Sequence, residues 1–94
     1  MVDVFDALGA PARRAILDAL AQRDEQTLFE LCTRLASDHQ ISLTRQAISQ
    51  HLAVLEDVGL VRSRRTRRYK VHSLDLTPLR DAMSRWLDPP EAPE

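Results

Sequence analysis

The sequence of 94 residues has one cysteine, two glycines and 4% aromatic residues. The single Cys32 cannot form an internal disulfide, which agrees with a reducing compartment. There is no glycine-rich phosphate loop, no nucleophile elbow and no metal triad, so nothing in the sequence supports an enzyme. Charged residues make up 29% of the chain, and no apolar run approaches the ~20 residues of a membrane span, which argues against a membrane protein.

The beginning of the chain, MVDVFDAL, is acidic and has no long apolar core. We therefore expect no signal peptide and a cytoplasmic protein. The length indicates one domain, which we assign to residues 1–88, followed by a disordered tail over residues 89–94. A domain this small is only marginally stable alone, so pairing with a second copy would stabilise it.

The charge is segregated along the chain, although the net charge is only −1. Seven of the 14 acidic residues occur by Asp38, and none occurs between Val58 and Leu74. Within that acid-free stretch lie six basic residues, Arg62, Arg64, Arg65, Arg67, Arg68 and Lys70. The local field near these residues is therefore expected to be positive, which suits a polyanion.

Capping residues and apolar spacing predict the first helices. Val4, Phe5 and Leu8 form an apolar patch at helical spacing, and Pro11 suits the first turn of the next helix. Thr27 with Glu30 predicts a capping box for a third helix, which ends near Ser37. The residues expected to face the core from these two longer helices are Ala15, Ile16, Ala19, Leu20, Leu28, Leu31, Cys32, Leu35 and Ala36.

A fourth helix is predicted over residues 43–58, with Thr44 as its N-cap and Gly59 as its left-handed end. Its buried stripe is Ile48, Leu52 and Leu55. The opposite face, in the first two turns, carries hydrogen-bonding side chains, namely Arg45, Gln46, Ser49 and Gln50. Such a face offers donors and acceptors that could contact base edges.

Over residues 60–72 the spacing of the apolar residues changes to every second position. Val61, Tyr69 and Val71 alternate with basic residues, which predicts a hairpin with one buried face and a tip near residues 65–67 that lacks glycine. Thr77 and Pro78 begin a last helix. Its apolar stripe is Leu79, Ala82, Met83, Trp86 and Leu87. The order predicts a mainly α fold with a small β-hairpin, a winged helix-turn-helix.

In these segments the chain resembles the ArsR/SmtB family of bacterial winged-helix repressors over about residues 5–87. FDALGAPARRAILDAL resembles the family's opening helix, SLTRQAISQHLAVLEDVGLV its recognition helix, and RRTRRYKVH its wing. The resemblance implies a homodimer that binds a palindromic operator on double-stranded DNA and represses transcription until an inducer weakens binding. The operator, the regulated genes and the inducer cannot be named from the sequence.

The chain departs from the family pattern at three places. Ala10 stands where the family often has Asp before the proline, and the connector DHQISL is longer than the family's turn. The metal ligands are missing as well: Cys32 has Arg34 where a second thiolate would follow, and the last helix has no Asp-x-His pair. We therefore expect no metal and no cofactor, with Cys32 a small buried apolar residue.

The residues that we expect to contact DNA fall into two groups. Base contacts are assigned to Arg45 on guanine, Gln46 or Gln50 on adenine, and Ser49 on base or phosphate. Phosphate contacts are assigned to Thr44, His51 and the wing residues Arg62, Arg64, Arg65, Arg67, Arg68 and Lys70. Arg65 and Arg67 could instead enter a minor groove. Tyr69 is expected to point inward and pack.

Taken alone, the polar helix face could be an ordinary solvated surface, and the basic hairpin could be a charged sheet edge that prevents aggregation. The presence of both features together favours contact with DNA. The dimer contact is expected at the two ends of the chain, through Phe5, Leu8, Leu79, Met83, Trp86 and Leu87, although Trp86 could instead cover the monomer core. Three rival functions stay open: a metal or redox sensor using Cys32, a non-specific architectural DNA binder, and a protein-interaction winged helix. The last is disfavoured because the basic wing is retained.

Overall fold

The computed structural model describes residues 2–87. In chain order its elements are α1 (Val4–Ala7), α2 (Pro11–Gln22), β1 (Gln26–Thr27), α3 (Leu28–Asp38), α4 (Arg45–Asp57), β2 (Val61–Arg65), β3 (Lys70–Leu74) and α5 (Thr77–Leu87). This is the helix order and hairpin of a winged helix-turn-helix. The predicted tail, residues 89–94, lies outside the described residues. Between residues 2 and 87, no helix is both long and apolar enough to cross a membrane.

Helix α1 is a single turn held by polar contacts at both of its ends. Asp3 accepts a hydrogen bond of 2.8 Å from the Asp6 amide, which completes a capping box. At the other end, Arg13 Nε donates to the Ala7 carbonyl at 2.6 Å, and Arg14 donates to the Leu8 carbonyl at 2.6 Å. Two arginines of α2 therefore satisfy carbonyls that α1 leaves open.

The start of α3 has the predicted capping box. The Glu30 amide donates to Thr27 Oγ1 at 3.2 Å, and Glu30 Oε1 accepts from the Thr27 amide at 3.0 Å. Helix α3 ends at Asp38, one residue past the prediction. Ala36, expected in the core, is exposed, because the buried residues Leu31 and Leu35 lie on another side of the helix.

Helix α4 begins at Arg45, two residues later than predicted, because Thr44 is extended and caps it through the Ala47 amide at 3.0 Å. It ends in a Schellman motif around Gly59, whose φ is +81°. The Leu60 amide donates to the Leu55 carbonyl at 2.9 Å, and the Gly59 amide donates to the Glu56 carbonyl at 3.0 Å. This turn directs the chain from α4 straight into β2.

The wing is a three-stranded antiparallel sheet with the order β1-β3-β2. The hairpin register runs from Val61 opposite Leu74 to Arg65 opposite Lys70. Its turn consists of two residues, Arg67 and Arg68, because Thr66 and Tyr69 exchange both backbone hydrogen bonds, at 2.8 and 3.2 Å. The short strand β1 was not predicted, since two residues are too few to show a period in sequence.

The predicted buried face of β3 is wrong at Tyr69. Tyr69 precedes the strand, flanks the turn, and is 61% exposed. The most buried wing residue on this strand is His72, at 5% exposure, while Val71 is half-buried. The strand therefore turns its His72 side toward the helices, the opposite phase to that expected from Tyr69 and Val71.

The core lies where α2, α3, α4 and the base of the wing meet. It is formed by Ala7, Ala15, Ile16, Ala19, Leu20, Leu31, Leu35, Ile48, Leu52, Leu55, Leu60 and Val61. Helix α5 contributes no buried residue and packs against α1 instead, with the Phe5 and Trp86 rings 6.0 Å apart. Trp86 is 59% exposed, so it does not cover the monomer core.

Candidate nucleic-acid interface

The polar face of α4 is presented as the sequence predicts. Ile48, Leu52 and Leu55 are buried, which rotates the other side of the helix outward. The exposed residues on that side are Arg45, Gln46, Ser49 and Gln50. All four lie in the first two turns, at the helix end that enters a major groove in helix-turn-helix proteins.

Thr44 and His51 lie at the margins of this face. Thr44 Oγ1 accepts the Ala47 amide, which leaves its hydroxyl hydrogen free to donate. His51 is only half-exposed, and its Nδ1 lies 3.3 Å from Nη1 of Arg13. Burial, and secondarily the Arg13 charge, lower the pKa of His51 below its ordinary value. A neutral ring that accepts at Nδ1 carries its hydrogen on Nε2, which makes that atom a donor.

Two of the six wing bases have acidic partners that come from outside the acid-free stretch. Arg62 Nε lies 3.0 Å from Asp75 Oδ2, and Arg64 Nε donates to Glu25 Oε1 at 3.0 Å. The positive field of the wing is therefore concentrated toward its tip. The bases with no ion pair within residues 2–87 are Arg65, Arg67, Arg68 and Lys70.

A groove of about 530 Å³ joins α4 to the wing, and we call it the helix–wing groove. It is lined by Arg45, Ser49 and Glu56 of α4, by Arg68, Tyr69, Lys70 and His72 of the wing, and by Phe29 at the start of α3. The groove brings residues assigned to bases and residues assigned to phosphates into one concave surface. Their contact with DNA stays a prediction.

The sequence interpretation assigned no DNA-facing role to Phe29 or Tyr69, which are 66% and 61% exposed. Phe29 could have been found, because it falls off the Leu28, Leu31 and Leu35 stripe of α3. Tyr69 could not, because its orientation depends on where the two-residue turn falls.

No metal centre is assembled in the described part of the chain. Among residues 2–87, no group of three or more His, Cys, Asp or Glu side chains is placed to hold an ion. Cys32 is half-buried, and burial raises the pKa of its thiol despite the opposing charge of Arg45. The three histidines lie apart: His39 in the α3–α4 connector, His51 on α4 and His72 on β3.

Comparison with known proteins identifies this architecture. The sequence model of a helix-turn-helix domain family matches residues 8–64. The uncharacterized HTH-type transcriptional regulator YuzN of Bacillus subtilis (strain 168) is 47% identical over 85 residues, 90% of this chain and 92% of that protein. The crystal structure of a possible transcriptional regulator for arsenical resistance is 34% identical, with a TM-score of 0.72 over 94% of this chain and 88% of that one.

An ArsR-like transcriptional regulator from Rhodococcus sp. is 30% identical, with a TM-score of 0.72 over 87% of this chain and 74% of that chain. The chain belongs to the ArsR type of winged helix-turn-helix transcriptional regulators. HlyU from Vibrio cholerae is 29% identical, with a TM-score of 0.67 over 90% of this chain and 87% of that one. The predicted fold and the predicted family resemblance are thereby confirmed.

As an ArsR-type regulator, the protein acts in transcription and binds DNA through its helix-turn-helix. The matched residues 8–64 span α2, α3 and α4 together with most of β2, so they include the polar face of α4. YuzN and the Rhodococcus protein are transcriptional regulators by name, and the arsenical-resistance protein is a possible one.

Proposed function

We propose that this ArsR-type regulator is a cytoplasmic homodimeric repressor that binds a palindromic operator, without a metal cofactor. The observation that carries the proposal is the helix–wing groove, where Arg45 and Ser49 of α4 share one concave surface with Arg68 and Lys70 of the wing. Base-contacting groups and unpaired cations on one surface suit the major groove together with its flanking phosphates.

In this proposal α4 supplies sequence preference. Arg45 has the fork geometry for guanine, and Gln46 or Gln50 can pair with adenine through two hydrogen bonds. Ser49 serves a base or a phosphate, while Thr44 and the Nε2 hydrogen of His51 donate to phosphates. Because His51 is half-exposed and the other side chains are exposed, they can reach DNA without rearrangement of the core.

The wing supplies affinity that depends little on sequence. Arg65, Arg67, Arg68 and Lys70 have the larger share of this role. Arg62 and Arg64 contribute less, because Asp75 and Glu25 already offset their charges. Arg65, at the end of β2, and Arg67, within the two-residue turn, are also placed for insertion into a narrow minor groove.

The homodimer is supported by the apolar surface at the two ends of the chain. Phe5 is 43% exposed, Trp86 59% and Leu87 68%, and α5 buries no residue in the monomer. Leu8, Leu79 and Met83 extend this surface as half-buried residues. A two-fold axis through it would set two copies of α4 about 34 Å apart, the spacing of successive major grooves.

Cys32 is a poor candidate for a sensor. Its raised pKa keeps the thiol protonated near neutral pH, whereas metal binding and oxidation both use the thiolate. The residue packs against the core from α3, as a small apolar side chain does. The inducing signal is therefore sought elsewhere than at this thiol.

A binding selection from random duplexes tests the proposal, followed by sedimentation with the enriched duplex. We expect an enriched palindrome bound by two chains, and weaker transcription from a promoter that contains it. Binding without enrichment would instead identify an architectural binder. A stoichiometric metal that lowers affinity for the enriched duplex would contradict the metal-free repressor.

A further inference from the structure

Two buried polar atoms at the floor of the helix–wing groove have no hydrogen-bond partner. They are Nδ1 of His72 on β3 and Oε1 of Glu56 on α4, which lie 3.8 Å apart. That distance is too long for a hydrogen bond, although it is short enough for an ion pair once the imidazole is charged. His72 is 5% exposed and the Glu56 side chain is 30% exposed, so bulk water screens this pair less than it screens an ion pair on the open surface.

The charged groups around His72 lie on α4 and the wing, and Asp24, in the segment after α2, accepts a hydrogen bond from the Leu74 amide of β3 at 2.8 Å. On α4, Glu56 faces it and Arg45 lines the same groove, while β3 contributes Lys70 and the wing turn contributes Arg68. The cross-strand neighbours, Gln26 of β1 and Ser63 of β2, are uncharged, as are the groove residues of α3. Gln26 already donates to the Ala19 and Arg23 carbonyls, so its amide hydrogens are engaged elsewhere.

In the free protein these surroundings, taken together, disfavour the protonated form of His72. Burial is the largest influence and lowers the pKa of His72, Glu56 raises it, and Lys70 lowers it by a smaller amount. The charge repulsion comes from Lys70, a cation that the proposed function places against a DNA phosphate. Anything that neutralises Lys70 therefore makes protonation of His72 more favourable.

We propose that DNA binding is coupled to protonation of His72: phosphates in the helix–wing groove neutralise Lys70 and Arg68, and His72 then takes up a proton and pairs with Glu56. This inference rests on the proposed function, because it requires DNA in that groove. The charged pair joins α4 to β3, so it fixes the wing against the recognition helix in the complex. By linkage, acidification strengthens DNA binding through this histidine.

The direct measurement is titration calorimetry of the whole chain with the enriched duplex, in two buffers that differ in their heat of protonation. Between about pH 6 and about pH 7 we expect net proton uptake on binding. When the pH falls from above the bound-state pKa of His72 to below its free-state pKa, DNA affinity should increase in total by about tenfold for each unit between the two pKa values. Wild-type binding without proton uptake would overturn the coupling.

Three variants separate His72 from its neighbours. His72→Gln should lose most of the proton uptake, and its DNA affinity should lose most of the increase that acidification gives the wild type. Glu56→Gln should shift the uptake to more acidic pH, because it removes the favourable partner. His51→Gln, which removes the other histidine near DNA, should retain the His72 contribution. Equal uptake by His72→Gln and wild type would overturn the proposal.

A second measurement does not depend on how well any variant folds. The imidazole resonances of His72 in the wild-type chain report its titration directly, free and bound to DNA. We expect the bound state to titrate at higher pH than the free state, and an equal or lower value would overturn the coupling. If the chain binds DNA but the titration of His72 does not shift, the coupling is rejected and the repressor proposal is retained. If the chain binds no DNA at any pH, both the coupling and the repressor proposal are rejected.

Discussion

The guanidinium group of Arg13 on α2 connects Ala7 at the end of α1 to His51 on α4. Its Nε donates to the Ala7 carbonyl at the end of α1, and its Nη1 lies 3.3 Å from Nδ1 of His51 on α4. Helix α1 also packs on α5 through Phe5 and Trp86. One side chain of α2 therefore links the proposed dimer contact to the recognition helix, and its charge adds to burial, the larger cause, in lowering the pKa of His51.

The lowered pKa of His51 makes the free energy of unfolding depend on pH. Burial and Arg13 lower the pKa of His51 in the folded protein, so the unfolded chain binds more protons between that pKa and the ordinary value of about 6.5. Stability should therefore fall as the pH decreases through this window, and burial of His72 acts in the same direction. Urea unfolding at about pH 7.5 and about pH 5.5 measures the difference.

The variant His51→Gln should show a smaller loss of stability on acidification, since glutamine does not titrate. The double variant His51→Gln with His72→Gln should show a smaller loss still. A loss equal to that of the wild type in the double variant would place the acid sensitivity in other groups.

Replacing Arg45 with alanine tests whether α4 contacts bases. Arg45→Ala should cost about 1–3 kcal/mol on the enriched duplex and relax the preference at one base position. Binding is measured on the enriched duplex and on a random duplex under the same salt conditions. Arg80→Ala, an equal change at an exposed position of α5, is the matched control. Equal losses on both duplexes for Arg45→Ala would reassign Arg45 to a phosphate.

Much of the helical fold could be predicted because its determinants are local. Thr27 with Glu30, Thr44 and Gly59 act within a few residues of themselves, so their caps were visible in sequence. The strand β1 was missed because its pairing with β3 joins residues far apart in the chain. The orientation of Tyr69 was wrong for a related reason, since it follows from the turn position rather than from alternation.

The site was only partly predictable. The exposed face of α4 follows from its own period, whereas the neutralisation of Arg64 depends on Glu25, a residue 39 positions earlier. The helix–wing groove likewise needs three elements that no local pattern connects. The sequence therefore did not indicate that His72 and Glu56 form a pair, because neither residue is unusual within its own segment.

Gly59 should be the least replaceable residue in the link between α4 and β2. At φ +81°, Gly59→Ala places a Cβ in a left-handed conformation, and that atom would lie 3.1 Å from Cγ of Pro78. We expect a loss of about 1–2 kcal/mol in the free energy of unfolding. Urea unfolding followed by circular dichroism checks this, and a variant as stable as the wild type would show that the turn relaxes without cost.

The wing arginines should contribute unequally to DNA affinity, because only some of them have an acidic partner. Arg67→Ala at the turn should weaken all duplexes alike and reduce the salt dependence of binding by about one unit of slope. Arg62→Ala should change the slope less, because Asp75 already lies 3.0 Å from that guanidinium. Both variants are compared by titrations over a range of salt concentrations. A larger effect at Arg62 than at Arg67 would contradict the placement of DNA along the wing tip.

Trp86 and Tyr69 are two similarly exposed aromatic residues, one in the proposed dimer contact and the other in the helix–wing groove. Trp86 is 59% exposed on α5, where it packs against Phe5 and Arg85, and Tyr69 is 61% exposed beside the wing turn. Trp86→Ala should shift the protein from dimer toward monomer, because it removes a large apolar contact from the two-fold surface. Tyr69→Ala should leave the oligomeric state unchanged. Sedimentation of both variants decides the matter: a dimeric Trp86→Ala would remove Trp86 from the interface, and a monomeric Tyr69→Ala would place the wing there instead.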